Sequence, residues 1–259
     1  SWVMAFMVVF RVAVNIISSW PYIVSYRAAM VNLRCKKWQI GGVVSRQALT
    51  AERALAEAMA LADTEGLSGL TMRKLASRLG VEAMSLYHHL PNKDALLDGM
   101  VDQVYTEVEL PLPDEAWQPA MQRRAESLRA ALLRHPWAVE LLDSCSTPGP
   151  ATLAHHEAII RNLRDSGFSW HLTAHAFSLI DAYVFGFVIQ EIQLPFDTPE
   201  ENQELAEDIM EGMSQVFPYL TQFTMEHVMQ PGYNYGNEFD YGLNLVLRGL
   251  TADYSAPDS

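Results

Sequence analysis

The residues best suited to chemistry in this sequence lie in one short stretch, residues 71–93. That stretch holds four basic side chains and a single acid: Arg73, Lys74, Arg78, Lys93 and Glu82. Two histidines, His88 and His89, lie beside them. A local charge of +3 attracts polyanions, so the stretch predicts contact with nucleic acid.

Enzyme motifs are missing from the sequence. It contains no GxSxG, no HExxH, no phosphate-cradling glycine loop and no recognisable frame of paired carboxylates. We therefore expect no catalytic residues and no enzymatic activity. The two cysteines, Cys35 and Cys145, lack CxxC spacing, which favours a reducing, cytoplasmic setting over a disulfide framework or a cysteine-based zinc site.

The charge of the 259-residue chain is divided unevenly. Its net charge of −13 argues against a nucleic-acid partner when taken whole. Counted by segment, residues 1–45 carry +5, residues 46–94 carry zero and residues 95–259 carry −18. The strongly acidic part would repel DNA, whereas the basic stretch would attract it. The charge distribution therefore predicts that only the basic stretch contacts DNA.

The elements that position the basic stretch are helices. Apolar residues recur at steps of three and four, which predicts an all-α fold with helices over about 50–65, 72–79, 83–89 and 93–107. Thr71 suits a helix N-cap, Gly80 suits a turn with positive φ, and small Ala76 lets the next helix approach. A miniature core is expected from Leu75, Leu79, Val81 and Leu86. This pattern predicts a helix-turn-helix, with Glu82, Met84, Ser85, Tyr87 and His88 on the outer face of its second helix.

The rest of the chain also predicts helices. One apolar stripe includes Trp117, Met121, Ala125, Leu128 and Leu132, and further helices are expected over about 151–166, 169–194, 219–229 and around Phe239–Leu250. A well-formed helix start lies at Thr198. Residues 176–189 are apolar almost all round, which favours coverage by a second subunit. We predict a DNA-binding domain over 46–108 and an effector-binding and dimerisation domain over 114–252.

The stretch from Leu70 to Asp98 resembles the DNA-binding signature of TetR-type bacterial regulators, including Leu86-Tyr87-His88-His89 and Asn92-Lys93. Weaker likeness to the tetracycline-repressor branch continues through 130–136, 167–169 and 239–245. The resemblance implies an N-terminal helix-turn-helix domain, a C-terminal ligand-binding domain, and a homodimer that binds a palindromic operator and releases it when a small molecule binds. It places phosphate or groove-wall contacts at Thr71, Arg73, Tyr87, His88 and Lys93, and base contacts at Glu82, Ala83, Met84 and Ser85.

Candidate ligand and metal sites are weaker. An effector pocket is expected to include Trp137, Phe177, Tyr183, Phe187 and Gln190, although such an aromatic stripe is more often plain core. His171 and His175 are spaced i, i+4 and His155-His156 lies one helix earlier, but ordinary histidines are favoured over a metal site, and no cofactor is expected. Asp143 falls where the tetracycline-binding branch has its magnesium-binding histidine, which argues against recognition of magnesium-tetracycline.

The first 45 residues form an apolar and basic extension. Residues 2–24 are apolar with one charge, Arg11, and are long enough to cross a bilayer. Arg11 and Pro21 interrupt this run, which favours an appended or mis-started extension over a membrane anchor or an extra packed helix. Two alternatives to the repressor therefore stay open: a membrane-tethered sensor, and a small-molecule-binding helical protein without DNA activity.

Overall fold

The structure is a computed structural model that describes residues 49–142, 147–193, 216–228 and 230–254. The apolar extension, Asp143, both cysteines and the helix start at Thr198 lie outside the described residues. Within the described part the chain is helical and contains no strand, so the predicted all-α class is confirmed.

The helices are α1 (Ala51–Gly69), α2 (Met72–Leu79), α3 (Ala83–Tyr87), α4 (Lys93–Thr106), α5 (Trp117–Arg134), α6 (Trp137–Leu142), α7 (Pro150–Asp165), α8 (Trp170–Ile192), α9 (Pro218–Phe223) and α10 (Glu238–Tyr254). A π-helical turn, Thr224–Val228, continues α9, and a 3₁₀ turn, Tyr235–Asn237, precedes α10. The described residues fall into two compact units, one ending at Leu179 and the other beginning at Ile180. The division near residues 109–113 stays a prediction.

Hydroxyl side chains cap the starts of three helices. The Thr50 hydroxyl accepts a hydrogen bond from the Arg53 amide at 3.1 Å, and the Thr71 hydroxyl accepts one from the Lys74 amide at 3.2 Å. The Ser169 hydroxyl does the same for Leu172 at 3.1 Å. The predicted N-cap at Thr71 is therefore confirmed, and Thr50 and Ser169 cap α1 and α8 in the same way.

Several helix bounds differ from the predictions. Helix α1 is kinked at Gly66 (φ 69°, ψ 176°), where the helical backbone is interrupted, so its first segment ends where the sequence predicts and a short second segment runs on to Gly69. Helix α3 ends at Tyr87 rather than residue 89, because the amides of His89 and Leu90 both turn back to the Leu86 carbonyl at 2.9 and 2.8 Å. Helix α6 was not predicted.

Apolar stripes build the core of each unit. The five stripe residues predicted on α5 are all buried, and Leu128 and Leu132 are 0% exposed. In the second unit, the Tyr183 hydroxyl donates to the Phe239 carbonyl at 2.9 Å, and the ring of Phe187 lies 5.1 Å from that of Phe239. These contacts anchor the first turn of α10 to α8.

Candidate nucleic-acid interface

Helices α2 and α3 form a tight two-helix unit. Gly80 adopts φ 68°, ψ 33°, which favours glycine, and the Val81 amide donates to the Ala76 carbonyl at 3.0 Å. Leu75 and Leu86 are 0% exposed, whereas Val81 is only half-buried. The predicted miniature core therefore forms mainly from the leucines of the two helices.

The outer face of α3 is dominated by one projecting side chain, Met84, which is 72% exposed. Tyr87 is 43% exposed on the same short helix, and Glu82 and His88 at its ends are exposed. The neighbours of Met84 in the chain, Ala83 and Ser85, are half-buried and short. Helix α3 thus presents a long apolar side chain between polar groups, while its buried Leu86 fixes it to the domain.

The basic side chains of this region divide into two pairs. Lys74 and Arg78 are held back against α1, where Lys74 pairs with Glu65 and Arg78 pairs with Glu57 at 2.5 Å. Arg73 and Lys93 are exposed and take part in no ion pair within the described residues. Positive charge is therefore presented to a ligand chiefly by the second pair, at the starts of α2 and α4.

Helix α4 connects this region to the following helices through Asp102. Gly149, at the N-cap of α7, has no side chain that could cap the helix, and the Asp102 carboxylate accepts the capping hydrogen bonds instead. One oxygen accepts from the Thr152 amide at 2.8 Å and from its hydroxyl at 2.9 Å, and the other accepts from the Ala151 amide at 3.3 Å. A carboxylate at a helix N-terminus is favourable, so α4 and α7 are fastened together.

A second fastening lies at the end of α4. His135 Nδ1 is 2.7 Å from the Asp63 carboxylate of α1, and its Nε2 is 3.0 Å from the Glu107 carboxylate. Both ring nitrogens of His135 therefore lie within hydrogen-bond distance of a carboxylate, and the ring joins the end of α5 to α1 and to the residue that follows α4. The Trp137 indole also donates to Asp63 at 2.6 Å, and Arg134 donates to Glu107 at 2.6 Å.

The charges around Glu107 fix its ionisation. Burial alone would raise the pKa of Glu107, but hydrogen bonds from Arg134 and His135 and the positive charges of both outweigh it. The pKa therefore lies below its usual value, and the carboxylate stays ionised at neutral pH. Nothing in the sequence pattern signalled this network, because Asp63 and His135 are 72 positions apart.

A buried polar pair lies between α5 and α7. Arg124 is 1% exposed and His155 is 0% exposed, and Arg124 Nε donates to His155 Nε2 at 3.1 Å. Burial, followed by the charge of Arg124 and the neighbouring His156, lowers the pKa of His155 to about 2. The imidazole is therefore neutral and carries its hydrogen on Nδ1. The ring of Tyr105, from α4, lies 4.8 Å away.

The residues predicted for an effector pocket are distributed over both units. Trp137 is buried and hydrogen-bonded to Asp63, and the ring centroids of Phe177 and His156 lie 5.3 Å apart. In the second unit, Phe187 and Gln190 both contact Tyr235. The Phe187 ring stacks on the Tyr235 ring with 4.8 Å between centroids, and the Tyr235 hydroxyl donates a hydrogen bond to the Gln190 side chain at 2.9 Å. Tyr183 lies 5.9 Å from Phe187. A role of these five residues in effector binding stays a prediction.

The histidine pair on α8 is exposed. His171 Nε2 and His175 Nε2 lie 2.9 Å apart, within hydrogen-bond distance of each other. Within the described ranges, no group of three or more His, Cys, Asp or Glu side chains is placed to hold a metal ion.

One described helix, α8, is long and apolar enough to cross a membrane by length and composition alone. The core helix of a soluble protein passes the same test, so this finding does not indicate a membrane location. The apolar run at residues 2–24 lies outside the residues that the structure describes.

Comparison with known proteins extends these observations. Residues 54–100 match the model of bacterial regulatory proteins of the tetR family, and residues 110–254 match the tetracyclin repressor-like C-terminal domain. The chain is 36% identical over 229 residues to the HTH-type transcriptional repressor DrrR1 of Streptomyces coeruleorubidus, covering 82% of each chain. It is 36% identical over 146 residues to the class E tetracycline repressor protein of Escherichia coli, covering 55% of this chain and 69% of that one.

Solved structures show the same fold. The TetR family protein ActR of Streptomyces coelicolor, in complex with actinorhodin, has a TM-score of 0.66 and 28% identity, over 81% of this chain and 100% of that chain. BioQ with its double-stranded DNA operator has a TM-score of 0.55 at 24% identity, over 79% of this chain and 99% of that chain, and so supports the fold alone. The helix-turn-helix, its exposed recognition face and these matches together show that the chain belongs to the TetR family and is a DNA-binding transcriptional regulator.

Proposed function

We propose that this protein is a cytoplasmic repressor that binds a palindromic operator as a homodimer and releases it when a small molecule binds the C-terminal part. The observation that carries the proposal is the exposed face of α3, where Met84 and Tyr87 project beside the exposed cations Arg73 and Lys93. In a dimer, two such helices would enter successive major grooves about 34 Å apart. The name of DrrR1, a transcriptional repressor, supports the sign of regulation.

The proposed contacts divide by chemistry. Arg73 and Lys93 would bind phosphates, and His88 and Tyr87 would lie against the groove wall. The Thr71 hydroxyl already accepts the Lys74 amide, so its own hydrogen is left to donate to a phosphate oxygen. Base edges would be contacted by the residues from the start of α3: Glu82, Ala83, Met84 and Ser85.

The proposed release needs a connection between the effector and the DNA-binding helices, and α4 supplies one. It begins at Lys93, beside α3, and is fastened to α7 through Asp102 and to the end of α5 through Glu107. A shift of α5 or α7 on ligand binding would therefore move α4 and change the spacing of the two recognition helices. ActR, which has been solved in complex with actinorhodin, supports a small-molecule effector.

An electrophoretic mobility shift assay on the DNA upstream of the gene tests the proposal. We expect binding that weakens as salt is raised, because phosphate contacts release counterions. Tyr87→Ala should weaken binding, whereas His171→Ala, an exposed change on α8, should not. Absence of salt-dependent binding to every fragment would refute the repressor and favour a small-molecule-binding protein without DNA activity.

Two further measurements test the remaining parts. Light scattering of the purified protein should give the mass of a dimer, and a stable monomer would remove the spacing mechanism. Fractionation of cells that express the chain with and without residues 1–43 should find both forms in the soluble fraction. Membrane association of the longer form alone would favour a tethered sensor.

A further inference from the structure

The most exposed apolar side chain of the DNA-binding region is Met84, at the centre of the outer face of α3. Its 72% exposure leaves most of a flexible thioether chain in water, which gives no stability to the folded protein. Leu86, two positions on, already anchors α3 to the core at 0% exposure. The fold therefore does not use Met84 for packing, and the side chain is available to an external apolar partner.

The chemistry of Met84 restricts what that partner can be. A thioether has no hydrogen to donate and is only a weak acceptor, so Met84 cannot replace the water on a polar base edge. Covering the exocyclic groups of guanine, adenine or cytosine with this side chain would leave them without hydrogen bonds, at a cost in affinity. The one apolar group that the major groove offers is the methyl at C5 of thymine.

We propose that Met84 is a specificity-determining residue that selects a C5-methylated pyrimidine in each operator half-site. This inference rests on the proposed function, because it requires α3 to enter the major groove. The two short flanking side chains, Ala83 and Ser85, are half-buried, so Met84 is the residue of this trio that reaches outward. Thymine and 5-methylcytosine carry the same methyl group, and either would satisfy the contact.

The test starts from operators selected from a random library with the wild-type dimer. Each thymine of a half-site is then replaced by uracil, which removes only the C5 methyl. At the contacted position we expect about fourfold weaker binding, the factor that corresponds to one buried methyl group. If that position is a cytosine instead, 5-methylation should strengthen binding by a similar factor, which distinguishes the two sources.

Three variants separate this contact from general effects on binding. Met84→Gln, similar in length but polar, should bind the thymine and uracil operators equally well, while Met84→Leu should keep the difference. Arg73→Ala should weaken binding to both operators by the same factor, because a phosphate contact is indifferent to the methyl. Because Met84 is exposed, its variants should fold normally, and any difference in DNA affinity reflects the contact itself.

Two outcomes would overturn the inference, and they are distinguishable. Equal affinity of the wild-type protein for operators with and without C5 methyl groups at every position overturns the role of Met84 alone. Failure to bind any DNA in a salt-dependent manner overturns the proposed function and this inference with it.

Discussion

Lowering the pH should destabilise the protein through one buried residue, His155. Burial, the Arg124 guanidinium and His156 lower its pKa in the folded protein to about 2, whereas a histidine in an unfolded chain titrates near about 6.5. Below about pH 6.5 the unfolded chain therefore binds a proton that the folded protein does not. The free energy of unfolding is at its full value above this pH and falls by about 1.4 kcal/mol per unit below it, until about pH 2.

Urea unfolding followed by circular dichroism, from about pH 7 to about pH 5, measures this loss. We expect His155 to contribute a loss of about 2 kcal/mol per chain at about pH 5. Carboxylates titrate at the lower end of this range, so the comparison is with His155→Gln, whose amide oxygen can accept the Arg124 Nε–H without titrating. Equal pH dependence of the two proteins would refute the assignment of a neutral, buried His155.

Three further substitutions test the fastenings and the turn. His135→Ala removes the contacts of the imidazole with the carboxylates of Asp63 and Glu107 and should lower the free energy of unfolding by about 2 kcal/mol in urea, while His171→Ala should change it by under about 0.5 kcal/mol. Asp102→Ala removes the cap of α7 and should cost about 1 kcal/mol, and an unchanged melting temperature would contradict this. Gly80→Ala forces an alanine to φ 68° and should cost about 1–2 kcal/mol in thermal unfolding, and an unchanged melting temperature would contradict the need for glycine at this turn.

The helix-turn-helix could be predicted because its determinants are local. Thr71 caps a helix that begins at the next residue, and Gly80 sits at the turn where a positive φ is required. Such features need only a few neighbouring residues, and the spacing of the leucines then indicates which faces pack together. The exposure of Met84 followed from the same spacing, since Leu86 and Met84 lie on opposite sides of α3.

The fastenings between helices could not be predicted because their partners are distant in sequence. Asp102 and Thr152 are 50 positions apart, and no periodic pattern indicates that one caps the helix of the other. From the sequence, His155 is expected to be an ordinary histidine. Its burial against Arg124, which makes it a neutral hydrogen-bond acceptor, depends on a residue 31 positions away. Helix α6 was missed because its six residues are too few to display a period.

The cap that Asp102 provides has a consequence for how the protein folds. Helix α7 has no capping side chain at Gly149, so its first turn is completed only after α4 has docked against it. The α4 helix also packs against α1. The recognition helices and the helices up to α7 should therefore unfold in one cooperative transition, and a truncated helix-turn-helix fragment should be much less stable than the same residues in the full chain.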